Sequence, residues 1–153
     1  MLATMEDVSV DTLNKVLHSS LVAEHAYRAL IKSLEKSSGS PVIPLRVLLH
    51  EHRTLQKELS AEVRRLGGEP DHSAGIGGFL AETMEELAAH SGRERALRFL
   101  RQRDVSVLRA GQEALPHSEG TTTGLLRNRV IDAVHRNLRL LDVLIEAEIE
   151  EAA

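Results

Sequence analysis

Leu13, Leu17, Leu21, Tyr27, Ile31 and Leu34 recur mostly in three- and four-residue steps, the spacing that lines one face of an α-helix with apolar side chains. The rhythm returns three times: in Leu45, Leu48, Leu55, Leu59, Val63 and Leu66; in Leu97, Leu100, Val107, Leu108 and Leu115; and in Ile131, Val134, Leu138, Leu141 and Ile145. A chain built on four such stripes must bury them against one another, which defines an all-α fold, a four-helix bundle.

Breaks in the pattern set the expected bounds. Ser9 or Asp11 is positioned to cap the first helix, expected over about 10–36, and Ser37-Ser38-Gly39-Ser40-Pro41 ends it. The second, about 42–67, tolerates Pro44 in its first turn and stops at Gly67-Gly68. Ser91-Gly92-Arg93-Glu94 matches a capping box and opens the third, about 91–115, which ends at Pro116. The fourth is expected over about 125–150, after the polar turn His117 to Gly124. Between the second and third lie a glycine-rich loop, 69–78, and a short helix, about 79–90. The first and last connections are short and the middle one is long, so two antiparallel helical hairpins joined by a long crossover are expected within one domain, 1–153.

Composition removes several functions. There is no cysteine, which excludes disulfides, thiol catalysis and zinc ribbons. A net charge of −4 argues against non-specific nucleic-acid binding, which needs a basic face. No stretch approaches the roughly 20 apolar residues of a membrane span, and Met1 to Asp7 lacks the basic and apolar runs of a leader. A cytoplasmic location, with neither membrane nor nucleic acid as partner, is the expectation. Aromatic residues are only 2% of the chain, so Leu, Val, Ile and Ala must fill the core.

Polar residues interrupt the stripes. The series 13, 17, 20, 24, 27, 31, 34 places Glu24 on the buried face; 45, 48, 52, 55, 59 places His52 there; 97, 100, 104, 107, 111 places Asp104 there. Asp132 and His135, three apart, share one side of the fourth helix. Measured from the turns, all five stand at similar heights, so they are expected to meet at mid-bundle. Buried carboxylates need a proton, a partner or a cation, and two imidazoles with three carboxylates suit iron, manganese or zinc. The alternatives are plain ones: a Glu24 salt bridge to Arg53 or Arg103, a hydrogen-bonded core histidine at 52, and a solvated Asp132/His135 pair.

With these residues the chain resembles the ferritin-like di-iron proteins, which place one Glu on each of two helices and Glu-x-x-His on the other two. The resemblance implies that Glu24 and Asp104 are the single carboxylates and that Asp132-x-x-His135 is the fourth-helix motif with Asp for Glu. The second helix departs from the pattern, reading Leu49-x-x-His52, which removes one bridging carboxylate unless Glu51 reaches in from the side. The run from Glu58 to Pro70, with Leu66-Gly67-Gly68-Glu69-Pro70 at its end, is similar to the second-helix ending of a bacterial family of ferritin-like bundles known only as a domain of unknown function. Such a resemblance implies a bundle that binds iron or manganese, with a stress or metal-handling role and no assigned enzyme activity. Two further readings stand beside it: a metal-free structural or interaction module, self-associating as a homodimer, whose polar layer fixes helix register; and a sensor of an unidentified small molecule that uses residues 69–90 as a lid.

Overall fold

A computed structural model describes residues 4–36, 41–72 and 92–153. It contains α1 (Met5–Leu34), α2 (Val42–Arg65), α3 (Gly92–Ala114), a 3-10 turn (Leu115–His117), α4 (Gly120–Leu125), a π-helical segment (Leu126–Ile131) and α5 (Asp132–Ala152). The last three run without a break, because the residues that join them keep helical torsions. They form one rod, the fourth of the bundle. No strand occurs among the described residues. The expected glycine-rich loop, crossover helix and Ser91 cap fall largely or wholly outside those residues.

Hydrogen bonds across the bundle fix its directions. Ser9 donates to the His117 carbonyl and Tyr27 to Asp104, so α3 runs antiparallel to α1. Thr122 reaches Glu62 and Arg129 reaches Glu58, so the fourth rod runs antiparallel to α2. Arg101 meets Asp142 and Arg93 meets Glu148, so α3 and α5 are antiparallel as well. Accordingly α2 and α3 point the same way. The four stripes meet in one core, in which Leu13, Leu17, Leu30, Leu45, Leu55, Leu59, Leu97, Leu100 and Leu141 are wholly or almost wholly enclosed. Each contributes about 1.5–3 kcal/mol through burial of its side chain.

Several bounds differ from expectation, each for a local reason. The first helix starts at Met5, because Thr4 and Asp7 form a capping box: the Asp7 amide donates to Thr4 Oγ1, and the Thr4 amide donates to Asp7 Oδ2, both at 3.1 Å. That Thr-x-x-Asp signal lies upstream of the stripe that drew attention to Ser9 and Asp11. The fourth rod begins at Gly120, five residues before Leu125. Its π-helical turn inserts extra backbone and shifts the phase of the face. The core positions there are Leu126 and Val130, while Ile131, expected in the stripe, is half-buried.

The end of α2 explains the Gly67-Gly68 pair. Gly67 has a φ of +84° and its amide donates to the Arg64 carbonyl, while the Gly68 amide donates to the Val63 carbonyl. These two bonds close a Schellman motif, in which the left-handed position favours glycine. Gly67→Ala is therefore expected to cost about 1 kcal/mol, read as a lower urea midpoint at unchanged slope.

Candidate functional site: an enclosed polar layer

At mid-bundle α1 contributes Ser20 and Tyr27, α2 contributes His52 and α3 contributes Asp104, all four with no exposed surface. Each occupies a core position of its helix, and each is wired to the next. Ser20 Oγ lies 3.0 Å from His52 Nδ1. His52 Nε2 lies 2.7 Å from Asp104 Oδ1. The Tyr27 hydroxyl donates to Asp104 Oδ2 at 2.9 Å. The Tyr27 and His52 rings pack at 5.3 Å between centroids, tilted by 43°. From the edge, the Gln56 amide nitrogen donates to the Ser20 carbonyl (3.3 Å) and Oγ (3.4 Å).

With the ring proton on His52 Nε2, the bonds run in one direction: Gln56 to Ser20, Ser20 to His52, and His52 to Asp104, which also receives Tyr27. Every polar side-chain atom of the four enclosed residues has a partner, as buried polar groups require. Burial and the adjacent Asp104 carboxylate push the Tyr27 phenol well above its usual range near 10. The phenol thus stays protonated and donating while the chain is folded.

The sign of the pH effect follows. A phenol that ionises less readily in the folded chain contributes stability that is present below pH 10 and lost as pH rises beyond it. Tyr27 is the chain's only tyrosine and there is no tryptophan, so its phenolate absorbance can be read directly. In an alkaline titration that band is expected to appear together with the loss of helical circular dichroism, and not before it.

The five residues expected to converge do not all do so. His52 and Asp104 meet at the heart of the layer. Glu24 stands at its edge and pairs instead with Arg53 at 3.0 Å, the salt bridge that was the alternative for it. Asp132 and His135 are exposed, because the face that α5 turns inward carries Ala133, Val134, Asn137 and Leu138. Glu51 is half-buried and faces Arg129 and Arg136 at 3.7 Å, on the α2–α5 side. Among the described residues no group of three or more His, Asp and Glu side chains is arranged to hold a metal ion. The donor set of the layer does not fit one either: both Asp104 oxygens and both His52 nitrogens are committed within the protein.

Sequence reasoning missed two members of the layer and one further enclosed polar residue. Ser20 and Tyr27 lay in the stripe as small and aromatic fillers, and only the tertiary contact reveals their hydroxyls as partners. Asn137, 3% exposed, is the polar residue that the fourth rod turns inward, and its amide nitrogen has no hydrogen-bond partner. Because Asn137→Ala breaks no hydrogen bond from that nitrogen, it is expected to change stability by no more than about 1 kcal/mol.

The order Ser20–His52–Asp104 has the residue types of a nucleophilic relay, but a nucleophile must meet its substrate. None of the three side chains reaches the surface. A second polar knot lies at the C-terminal end of α2, where Glu62 accepts from Arg65, from Thr122 at 3.0 Å and from Thr121 at 3.2 Å. The Arg65 bond above all, with the two threonines, holds the Glu62 carboxyl below the usual carboxylate range. Its contribution is present above pH 4.5, its ordinary value, and is lost as pH falls through the lowered one. Glu62→Gln is therefore expected to be less stable than the parent at neutral pH, with the gap narrowing in acid unfolding curves.

Fold and site together define an all-helical four-helix bundle with an enclosed polar layer. Comparison with protein-family models, with curated proteins and with solved structures finds no match to the chain. No helix of the described residues is long and apolar enough to cross a membrane.

Proposed function

We propose that this chain is a metal-free structural and protein-interaction module of ferritin-like build, whose enclosed relay sets the register of its helices. The observation that carries this reading is Asp104, with one carboxylate oxygen on His52 and the other on Tyr27. A carboxylate so occupied orients three helices with respect to one another, since sliding any of them by one turn, about 5.4 Å, breaks the chain of bonds. Buried polar groups that fix register are the best-attested use of such layers. The ferritin-like part of the proposal is supported by the helix directions: two antiparallel hairpins with α2 and α3 pointing the same way.

Protein purified without chelator from iron- or manganese-supplemented culture tests this reading. Elemental analysis is expected to find far less than one ion per chain, and added metal to leave the thermal midpoint unmoved. One ion per chain with a raised midpoint, both lost in Asp104→Asn, would overturn the proposal in favour of a metal-handling bundle.

A further inference from the structure

The outer groove between α1 and α2 is cationic on a chain whose net charge is −4. It holds about 690 Å³, with Ala29 and Leu49 in its floor and Arg28, Lys32 and His50 among its walls, beside Arg46, paired with Glu35, and Arg53, paired with Glu24. Arg28 and Lys32 are exposed and one helical turn apart, an unfavourable like-charge spacing. Among the described residues no acidic side chain pairs with either. Beside it on α2 stands Ile43, 76% exposed. Ile43 lies on the same stripe of α2 as Arg46 and His50, three and seven residues on.

The outer face of α5 has the opposite character. From Asp142 to Ala153 the chain carries five acidic residues, Asp142, Glu146, Glu148, Glu150 and Glu151, and no basic one. Glu146 and Glu150 are exposed one turn apart, again at a like-charge spacing, and no basic side chain among the described residues pairs with them. Val143, 63% exposed, and Ile149, 43% exposed, flank them on the same arc of the helix. Thus the groove is basic at its centre with apolar Ile43 beside it, and the α5 face is acidic at its centre with apolar residues on its flanks. Three of the five large hydrophobic residues exposed among those described, Ile43, Val143 and Ile149, lie on or beside these two surfaces. Exposed apolar groups gathered around charge mark a protein partner more than a small anion.

We infer that the α1–α2 groove receives the acidic outer face of α5 from a second copy of this chain. Both surfaces lie at the same end of the bundle. Arg93 at the start of α3 meets Glu148, and α3 starts at the end where α1 finishes. The contact joins two different surfaces, so it is heterologous and can repeat head to tail from copy to copy. About ten residues of α5 span about 15 Å, the length of α1 along the groove. This inference rests on the interaction-module reading and assigns it a partner and a surface.

Sedimentation equilibrium at protein concentrations up to about 0.1 mM, the range in which weak specific pairs assemble, tests it with charge reversal. The parent is expected to sediment at twice the chain mass of 16.9 kDa or above, rising with concentration, and to dissociate as salt is raised. Arg28→Glu with Lys32→Glu, or Glu146→Lys with Glu150→Lys, is expected to weaken association about a hundredfold. The four changes combined are expected to restore it. These positions are exposed, so unfolding curves should match the parent; Arg28→Ala with Lys32→Ala is the milder variant if they do not, with a weakening of about tenfold expected. A monomeric parent, or an assembly indifferent to both reversals, overturns the inference. So does a monomer that binds inorganic triphosphate through Arg28 and Lys32, which would make the groove a small-anion site. The metal titration described above decides the underlying reading separately: an assembly indifferent to charge reversal removes the surface and leaves the module.

Discussion

Asp104→Ala is expected to destabilise the bundle by roughly 3–5 kcal/mol, the cost of removing one partner from a buried, hydrogen-bonded pair. The substitution orphans two donors, His52 Nε2 and the Tyr27 hydroxyl, in a layer with no exposed surface, and each buried unsatisfied group costs about 1–3 kcal/mol. For a chain of this length the loss corresponds to a fall of on the order of 10 °C in thermal midpoint. Asp104→Asn should cost less, because its amide carbonyl still accepts from one of the two donors. The order Ala worse than Asn, both worse than Asn137→Ala, separates a hydrogen-bond network from simple polarity in the core. If Asp104→Ala fell within about 1 kcal/mol of the parent, the relay would have no part in stability.

Outside the relay, Gly68→Val should cost the most, at roughly 2–3 kcal/mol. A Cβ at Gly68 would come within 2.5 Å and 2.9 Å of the two Val10 methyl groups and 3.2 Å from Val63 Cγ1. Two branched side chains cannot both yield, because Val63 is enclosed in the core and Val10 packs against it. The start of α1 must then move away from the end of α2. Gly67 differs, since nothing lies near its would-be Cβ and only its left-handed φ resists substitution. Adjacent glycines thus serve two unrelated needs, one torsional and one steric. Gly68→Ala should lose part of the effect, and Val10→Ala should rescue much of what Gly68→Val loses when urea midpoints are compared.

How far the sequence spoke for the structure can be judged residue by residue. Apolar periodicity placed the stripes of α2 and α3 on their buried faces, and His52 and Asp104 within them, because in a straight helix phase carries over from turn to turn. On the fourth rod it places Val134, Leu138, Leu141 and Ile145 in the core as well, and misses only Ile131, where the π-helical turn at Leu126–Ile131 changes the phase. Asp132 and His135 stand one residue past Ile131 and Val134, and that step of about 100° turns them to solvent. Glu24 was near the right face, yet Arg53 on the neighbouring helix draws it to the edge. The hydroxyls of Ser20 and Tyr27 were invisible as partners, because their role exists only where three helices meet. Five ligand-like residues on four helices therefore suggest a metal centre, whereas two of them form a relay with residues that no spacing rule selects.

The relay's place at the centre of the bundle is tested most directly by a double-mutant cycle between His52 and Asp104, measured by urea unfolding of His52→Leu, Asp104→Leu and the pair. Each single change is expected to cost roughly 3–5 kcal/mol. The pair should cost less than the sum by about 2 kcal/mol or more, since the second substitution removes a group already orphaned by the first. Two small and additive losses would contradict the account, because they would mean that His52 and Asp104 share the core without holding it in register.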